Sequence, residues 1–226
     1  MSDHPSITYD RAFRTLFEDG VHLLLASQAA TDHDEAASFA RGSIACTMML
    51  PEVSANVCIE SLELENSVFN EIDKLAPLAK FDYFLRTTFR NRRIVNGTSQ
   101  VQKLQELKRL RDAFVHPKRQ IVQWEPGENG NFIGRSGRTQ FLNMSKNPAM
   151  WDEQDAIKAM LGAHDFLRYF FTDLCRYSKK KVTDLLFSDE SFVGSGGGGV
   201  YYYRPHFHGA LRRWQVDVSY FRIGVL

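Results

Sequence analysis

Cysteine is scarce in this chain, and its few copies are badly placed for chemistry. Of 226 residues only Cys46, Cys58 and Cys175 are cysteines, and no CxxC pair occurs. That excludes a zinc ribbon or a dithiol redox centre. Cys46 and Cys58 on one helix would stand about 18 Å apart, too far for a disulfide. All three read as reduced, mostly buried thiols of a cytoplasmic protein. An excess charge of one sign is also missing: 28 Lys and Arg face 27 Asp and Glu, for a net charge of +1. Bulk charge therefore implies neither nucleic acid nor membrane as a partner, and any such affinity has to come from a local patch. The start, "MSDHPSITYDRAF", has no basic-then-apolar leader. No apolar run reads as a bilayer span. G-x-S-x-G and HExxH are absent, and "GSGGGG" is followed by "VYYY" rather than Lys-Ser/Thr, so it is no phosphate loop. It reads as a flexible linker.

What is present is helical periodicity. Tyr9, Phe13, Leu16, Gly20 and Leu23 repeat at helical spacing. Asp32 and Glu35 in "TDHDE" form a capping box for a second helix, which reaches Pro51 and there either kinks or restarts. "VSANVCIESLELENSVFNEI" continues helical. Pro77 opens "LAKFDYFLRTTFRNRRIV", and "NGTS" caps "VQKLQELKRLRDAFVH". Two β-rich runs around "EPGENG" predict a hairpin near 119–142. Helix returns at Asp152 with a seam through Ala156, Met160, Ala163, Leu167, Phe170, Leu174 and Tyr177. His164 flanks that seam and reads as structural. "VYYY" and "WQVDVSYFRI" read as strands. The expected fold is mainly α: an antiparallel helical bundle over 1–181 with an inserted hairpin, then a Gly-rich linker and β-rich tail over 182–226.

The helix before His116 carries one anomaly. With Leu104 at zero, Leu107, Leu110, Phe114 and Val115 fall in one arc from about 240° to about 20°. Arg111 falls inside that arc, at about 340°. A guanidinium there needs a polar cleft or a partner. It snorkels, pairs with Glu60, Glu63 or Glu65, or serves a site. His116 precedes Pro117, which ends the helix. An imidazole at that end either caps and faces solvent, or serves as a general acid or base.

The stretch "RDAFVH" resembles the Arg-x4–6-His motif of the HEPN superfamily, helical-bundle proteins that are often metal-independent ribonucleases. The architecture over about residues 8–180 is similar to that family. The resemblance implies a homodimer in which two motifs face one cleft and act as an endoribonuclease, in bacterial defence or stress, with no cofactor and no metal. It implies that Arg111 stabilises charge on the scissile phosphate, that His116 moves a proton, and that Asp112 orients the site. A protein antitoxin or regulator is a partner class the family allows. Where some members carry a modifiable Tyr two residues after the His, this chain has Lys118. That departure argues against the subgroup. Arg86, Arg90 and Arg93 lie on one face of their helix at i, i+4, i+7. With Lys118 and Arg119 they form a candidate RNA-binding surface, or else a solvated face paired with the acids of 52–73. A non-catalytic HEPN-like module binding nucleotide, RNA or protein is the alternative. His206 and His208 share one face if their segment is a strand and there read as a metal or ligand site, and "YYYRPHFH" reads as a base-stacking run or as a strand packed on its own domain.

Overall fold

The computed structural model describes residues 11–119, 122–126, 132–187 and 205–222. It is mainly helical, as the periodicity requires. The helices are α1 (Ala12–Ala29), α2 (His33–Glu60), α3 (Asn66–Asp73), α4 (Pro77–Thr88), α5 (Ser99–Val115), α6 (Glu153–Arg168), α7 (Lys179–Phe187) and α8 (Pro205–Arg213). A 3-10 turn, Pro148–Met150, precedes α6, and a π-helical turn, Tyr169–Leu174, extends it.

Local sequence sets most of these limits. Asp32 accepts the Glu35 amide at 2.8 Å and starts α2, while Asp152 accepts the Asp155 amide at 2.8 Å and starts α6. Pro77 is the first residue of α4, where its missing N–H costs nothing. Pro51 neither restarts nor stops α2, which runs through it for 28 residues. Packing outweighs the lost backbone bond: Met48, Leu50, Pro51, Ser54 and Ala55 are all buried. By length and composition α2 could cross a membrane, but 61% of its apolar window is buried in the protein. It is the central helix, touching α1, α3, α4, α5, α6 and α7.

Small residues bring α1 close to α2. Ser43 Oγ donates to the Gly20 carbonyl at 2.7 Å, and Ser27 Oγ to the Ala36 carbonyl at 2.8 Å. The α6 seam is buried from Ala156 to Phe170, with Leu174 and Tyr177 partly covered. Arg92 closes the end of the π-helical turn by donating to the carbonyls of Leu174 (2.6 Å) and Cys175 (2.9 Å). The hairpin forms from antiparallel β1 (Gln123–Pro126) and β2 (Phe132–Arg135), with Trp124 opposite Gly134. A Cβ at Gly134 would come within 3.0 Å of Val122 Cγ1 and 3.4 Å of the Trp124 ring, so the glycine makes room chiefly for Val122.

The tail differs from the expectation. "GSGGGG" and "VYYY" lie outside the described residues. The described part is α8 followed by turns, with no strand. Nor does a separate core begin at residue 182. Val182, Leu186, Phe187, Phe207, Tyr220 and Phe221 are buried in the same apolar cluster as α1 and α6. The Phe221 ring lies 6.1 Å from Phe13 and 5.8 Å from Phe17. Tyr220 Oη meets His164 Nδ1 at 2.9 Å.

Candidate functional site

Arg111 lies on the last turn of α5, half-buried, and its guanidinium is held on two sides. One terminal nitrogen donates to Glu52 Oε2 at 3.1 Å and the other to Asp112 Oδ1 at 3.0 Å. The sequence-level alternative of an acid partner therefore holds, but the acid is Glu52 rather than Glu60, Glu63 or Glu65. Unbroken α2 geometry explains this. Glu60 stands about 12 Å further along the axis at 1.5 Å per residue, where it pairs with Arg11 at 2.7 Å. Glu63 and Glu65 fall in the link to α3.

Glu52 serves a second cation. Lys80 Nζ lies 3.5 Å from Glu52 Oε1, 2.7 Å from Asn56 Oδ1 and 3.0 Å from Asp73 Oδ1. Lys80 is only 2% exposed, so its charge depends on those partners. The result is a charged cluster bridging α2, α4 and α5. The wheel of α5 alone could not reveal Glu52 or Lys80. The only signal was the acidic composition of 52–73 ahead of Lys74 and Lys80. Replacing Glu52 with Gln keeps the shape but removes the charge between the two cations. Urea denaturation is expected to show a loss of about 1–2 kcal/mol.

Asp112 binds Arg111 on one oxygen and Lys108, at 3.0 Å, on the other. Partial burial pulls its carboxyl upward, but the bonds from Lys108 and Arg111 outweigh this and hold it below the usual range. His116 is the C-cap of α5, with φ −119° and ψ 68°. Its backbone N–H donates to the Asp112 carbonyl at 2.9 Å, and its side chain is exposed. Among the described residues no hydrogen bond joins its imidazole to Arg111 or Asp112. Arg111 and Asp112 are thus brought together, and His116 stands at the same helix end with its ring in solvent.

The candidate basic surface is arranged differently from its wheel. α4 ends at Thr88, so Arg86, Arg90 and Arg93 do not share a helical face. Phe89 has left the helix at φ −132°, ψ 112°. Arg86 pairs with Asp82. Lys118 and Arg119 are exposed just past Pro117. His206 and His208 sit on α8, two residues apart, and so point about 200° apart rather than along one face. Among the described residues no group of three or more His, Cys, Asp or Glu converges for a metal. Burial pushes the Cys58 thiol up and that of Cys175 to about 12, so both stay protonated and unreactive. Compared with family models, curated proteins and solved structures, the chain matches none.

Proposed function

We propose that the chain is a HEPN-like, metal-independent endoribonuclease that works in the cytoplasm as a homodimer. One observation carries the reading. A half-buried guanidinium, oriented by two carboxylates, shares the end of α5 with a solvent-facing imidazole. In this reading His116 takes the proton of a ribose 2′-hydroxyl as that oxygen attacks phosphorus. The bond to the 5′ oxygen breaks, leaving a 2′,3′-cyclic phosphate and a 5′-hydroxyl once the leaving oxygen is protonated. Arg111 stabilises the charge that builds on the phosphate, and Asp112 fixes its fork.

Exposed apolar groups flank the pair and support dimerisation. Met49 lies one turn before Glu52 on α2, and Val115 one turn after Arg111 on α5. Pairing two copies there sets two His116 rings across one cleft. The bonds from Arg111 to Glu52 and Asp112 favour a second reading, in which Arg111 is a structural cation and the dimer is a non-catalytic HEPN-like module.

Cleavage of single-stranded RNA in EDTA separates the two. The wild-type chain is expected to cut, and His116→Ala to lose about 100-fold or more of the rate. Because His116 is exposed, the variant should keep the wild-type melting temperature. Equal cleavage by His116→Ala removes the proposed role. No cleavage by the wild-type chain leaves the binding module.

A further inference from the structure

Beside His116 the surface carries a groove that the motif does not use. Its volume is about 310 Å³, at the small end of pockets that enclose small ligands. Phe114 and Pro117 line one wall, bracketing His116 in sequence, and the turn at Asn147 and Pro148 lines the other. Arg41 and Lys118 complete it, and no carboxylate lines it. Neither cation takes part in an ion pair among the described residues. Arg41 makes only a 2.9 Å bond to the Ser38 hydroxyl. The Phe114 ring is 39% exposed although it leans on Trp151 at 5.4 Å. Asn147 is 7% exposed, and its Oδ1 caps the Ala149 amide at 3.1 Å. Its Nδ2 has no hydrogen-bond partner among the described residues and is not buried, so an accessible amide donor is left over at the groove.

A flat apolar wall, a spare amide donor and two uncompensated cations at one small groove match a single ligand chemistry. The geometry points to a nucleotide subsite, in which Phe114 stacks a base, Asn147 Nδ2 donates to its edge, and Arg41 and Lys118 hold the flanking phosphates. The inference rests on the ribonuclease reading only for the source of the nucleotide, which is single-stranded RNA running past His116. The volume admits one nucleotide and no folded partner. The interaction is sequence-tolerant at the stack, because every base has a face to offer.

The test is binding without cleavage. A fluorescein-labelled, 2′-fluoro single-stranded oligonucleotide has no attacking hydroxyl, so anisotropy reads affinity alone. Phe114→Leu keeps the apolar bulk, and Arg41→Glu and Lys118→Glu are surface changes that leave the core untouched. Each is expected to weaken binding roughly tenfold. Lys74→Glu, the same charge change on an exposed lysine paired with Glu71 that does not line the groove, is expected to leave binding within about twofold, since an exposed paired charge contributes little. Adenosine and uridine monophosphates distinguish the source. If they displace the oligonucleotide, the groove takes free nucleotide, and if they do not, it needs the strand. The proposal is overturned if the wild-type chain does not bind, if Phe114→Leu binds as well as wild type, or if Lys74→Glu costs as much as Arg41→Glu. A chain that binds through this groove but never cuts refutes the ribonuclease reading alone. A chain that cuts, with a KM indifferent to Phe114→Leu and Arg41→Glu, refutes the groove alone.

Discussion

Between pH 6.5 and pH 3 the protein is expected to lose stability with each unit of acidification, and His164 is the reason. The ring is fully buried, with one nitrogen on Tyr220 Oη and Nε2 without a partner. Burial depresses its pKa from 6.5 to about 3, against a smaller upward pull from Asp217. Above pH 6.5 neither the folded nor the unfolded chain protonates this ring, and its contribution is complete. As pH falls below 6.5 the unfolded chain takes up a proton that the folded one refuses. The unfolded state is favoured until the folded pKa near 3 is reached. At pH 5 the penalty is about 2 kcal/mol, at 1.36 kcal/mol per unit. Urea midpoints at pH 7, 6 and 5 measure it. His164→Gln retains a polar group for Tyr220 but cannot charge. Its curve is expected to be flatter than wild type by one proton over this window. Parallel curves for the two chains would remove His164 as the cause.

The same residue shows how far a sequence reading reaches. His164 was legible as structural because it flanks an apolar seam, but nothing local named Tyr220, 56 positions away, as its partner. The tail is more instructive. Trp214, Val216, Val218 and Tyr220 are buried while Gln215, Asp217 and Ser219 are exposed. Burial here alternates, one face in and one face out. The stretch reads as a strand, yet the same alternation arises from turns laid on the core, with Gln215 at φ 59° and no strand partner among the described residues. Here the backbone is satisfied piecemeal: Val216 N–H donates to the Leu211 carbonyl, Ser219 N–H to Asp217 Oδ1 and Arg222 N–H to Thr183 Oγ1.

At the site, the wheel found Arg111 because a cation in an apolar arc is visible from one helix. Its partner was not visible, because Glu52 reaches it only if α2 survives Pro51. That outcome depends on tertiary packing, which the local sequence does not encode. Phe114 fell in the same arc and yet is exposed, since the arc is wider than the surface the neighbouring helices cover. The groove escaped notice for the same reason: Arg41, Asn147 and Phe114 come from three separate stretches of chain.

Glu106 is the sharpest case of a polar residue that the wheel set aside, and Glu106→Ala is expected to be the most destabilising single change near the site. On the α5 wheel it falls on the polar side, yet it is 6% exposed. Its carboxylate accepts the backbone N–H groups of three successive residues: Gln140 at 2.8 Å, Phe141 at 3.1 Å from each oxygen, and Leu142 at 2.8 Å. This one side chain holds the loop that follows the hairpin against α5, and so places Leu142 against Gly162. A Cβ at Gly162 would come within 2.5 Å of Leu142 Cδ2, so α6 carries glycine at the point where the loop presses closest. Truncation strands three donors. Leu142 is buried and its amide goes unsatisfied, while water can reach Gln140 and Phe141, whose residues are exposed. The expected loss is about 2–4 kcal/mol, with a smaller one for Glu106→Gln, which keeps one acceptor oxygen. Urea denaturation gives the magnitude, and hydrogen exchange at the Leu142 amide gives the cause. A loss under about 1 kcal/mol with that amide still protected would mean the loop is held by its apolar contacts instead. The loop leads directly to Asn147 and Pro148. If Glu106 is its anchor, Glu106→Ala is therefore also expected to weaken oligonucleotide binding at a groove it does not touch.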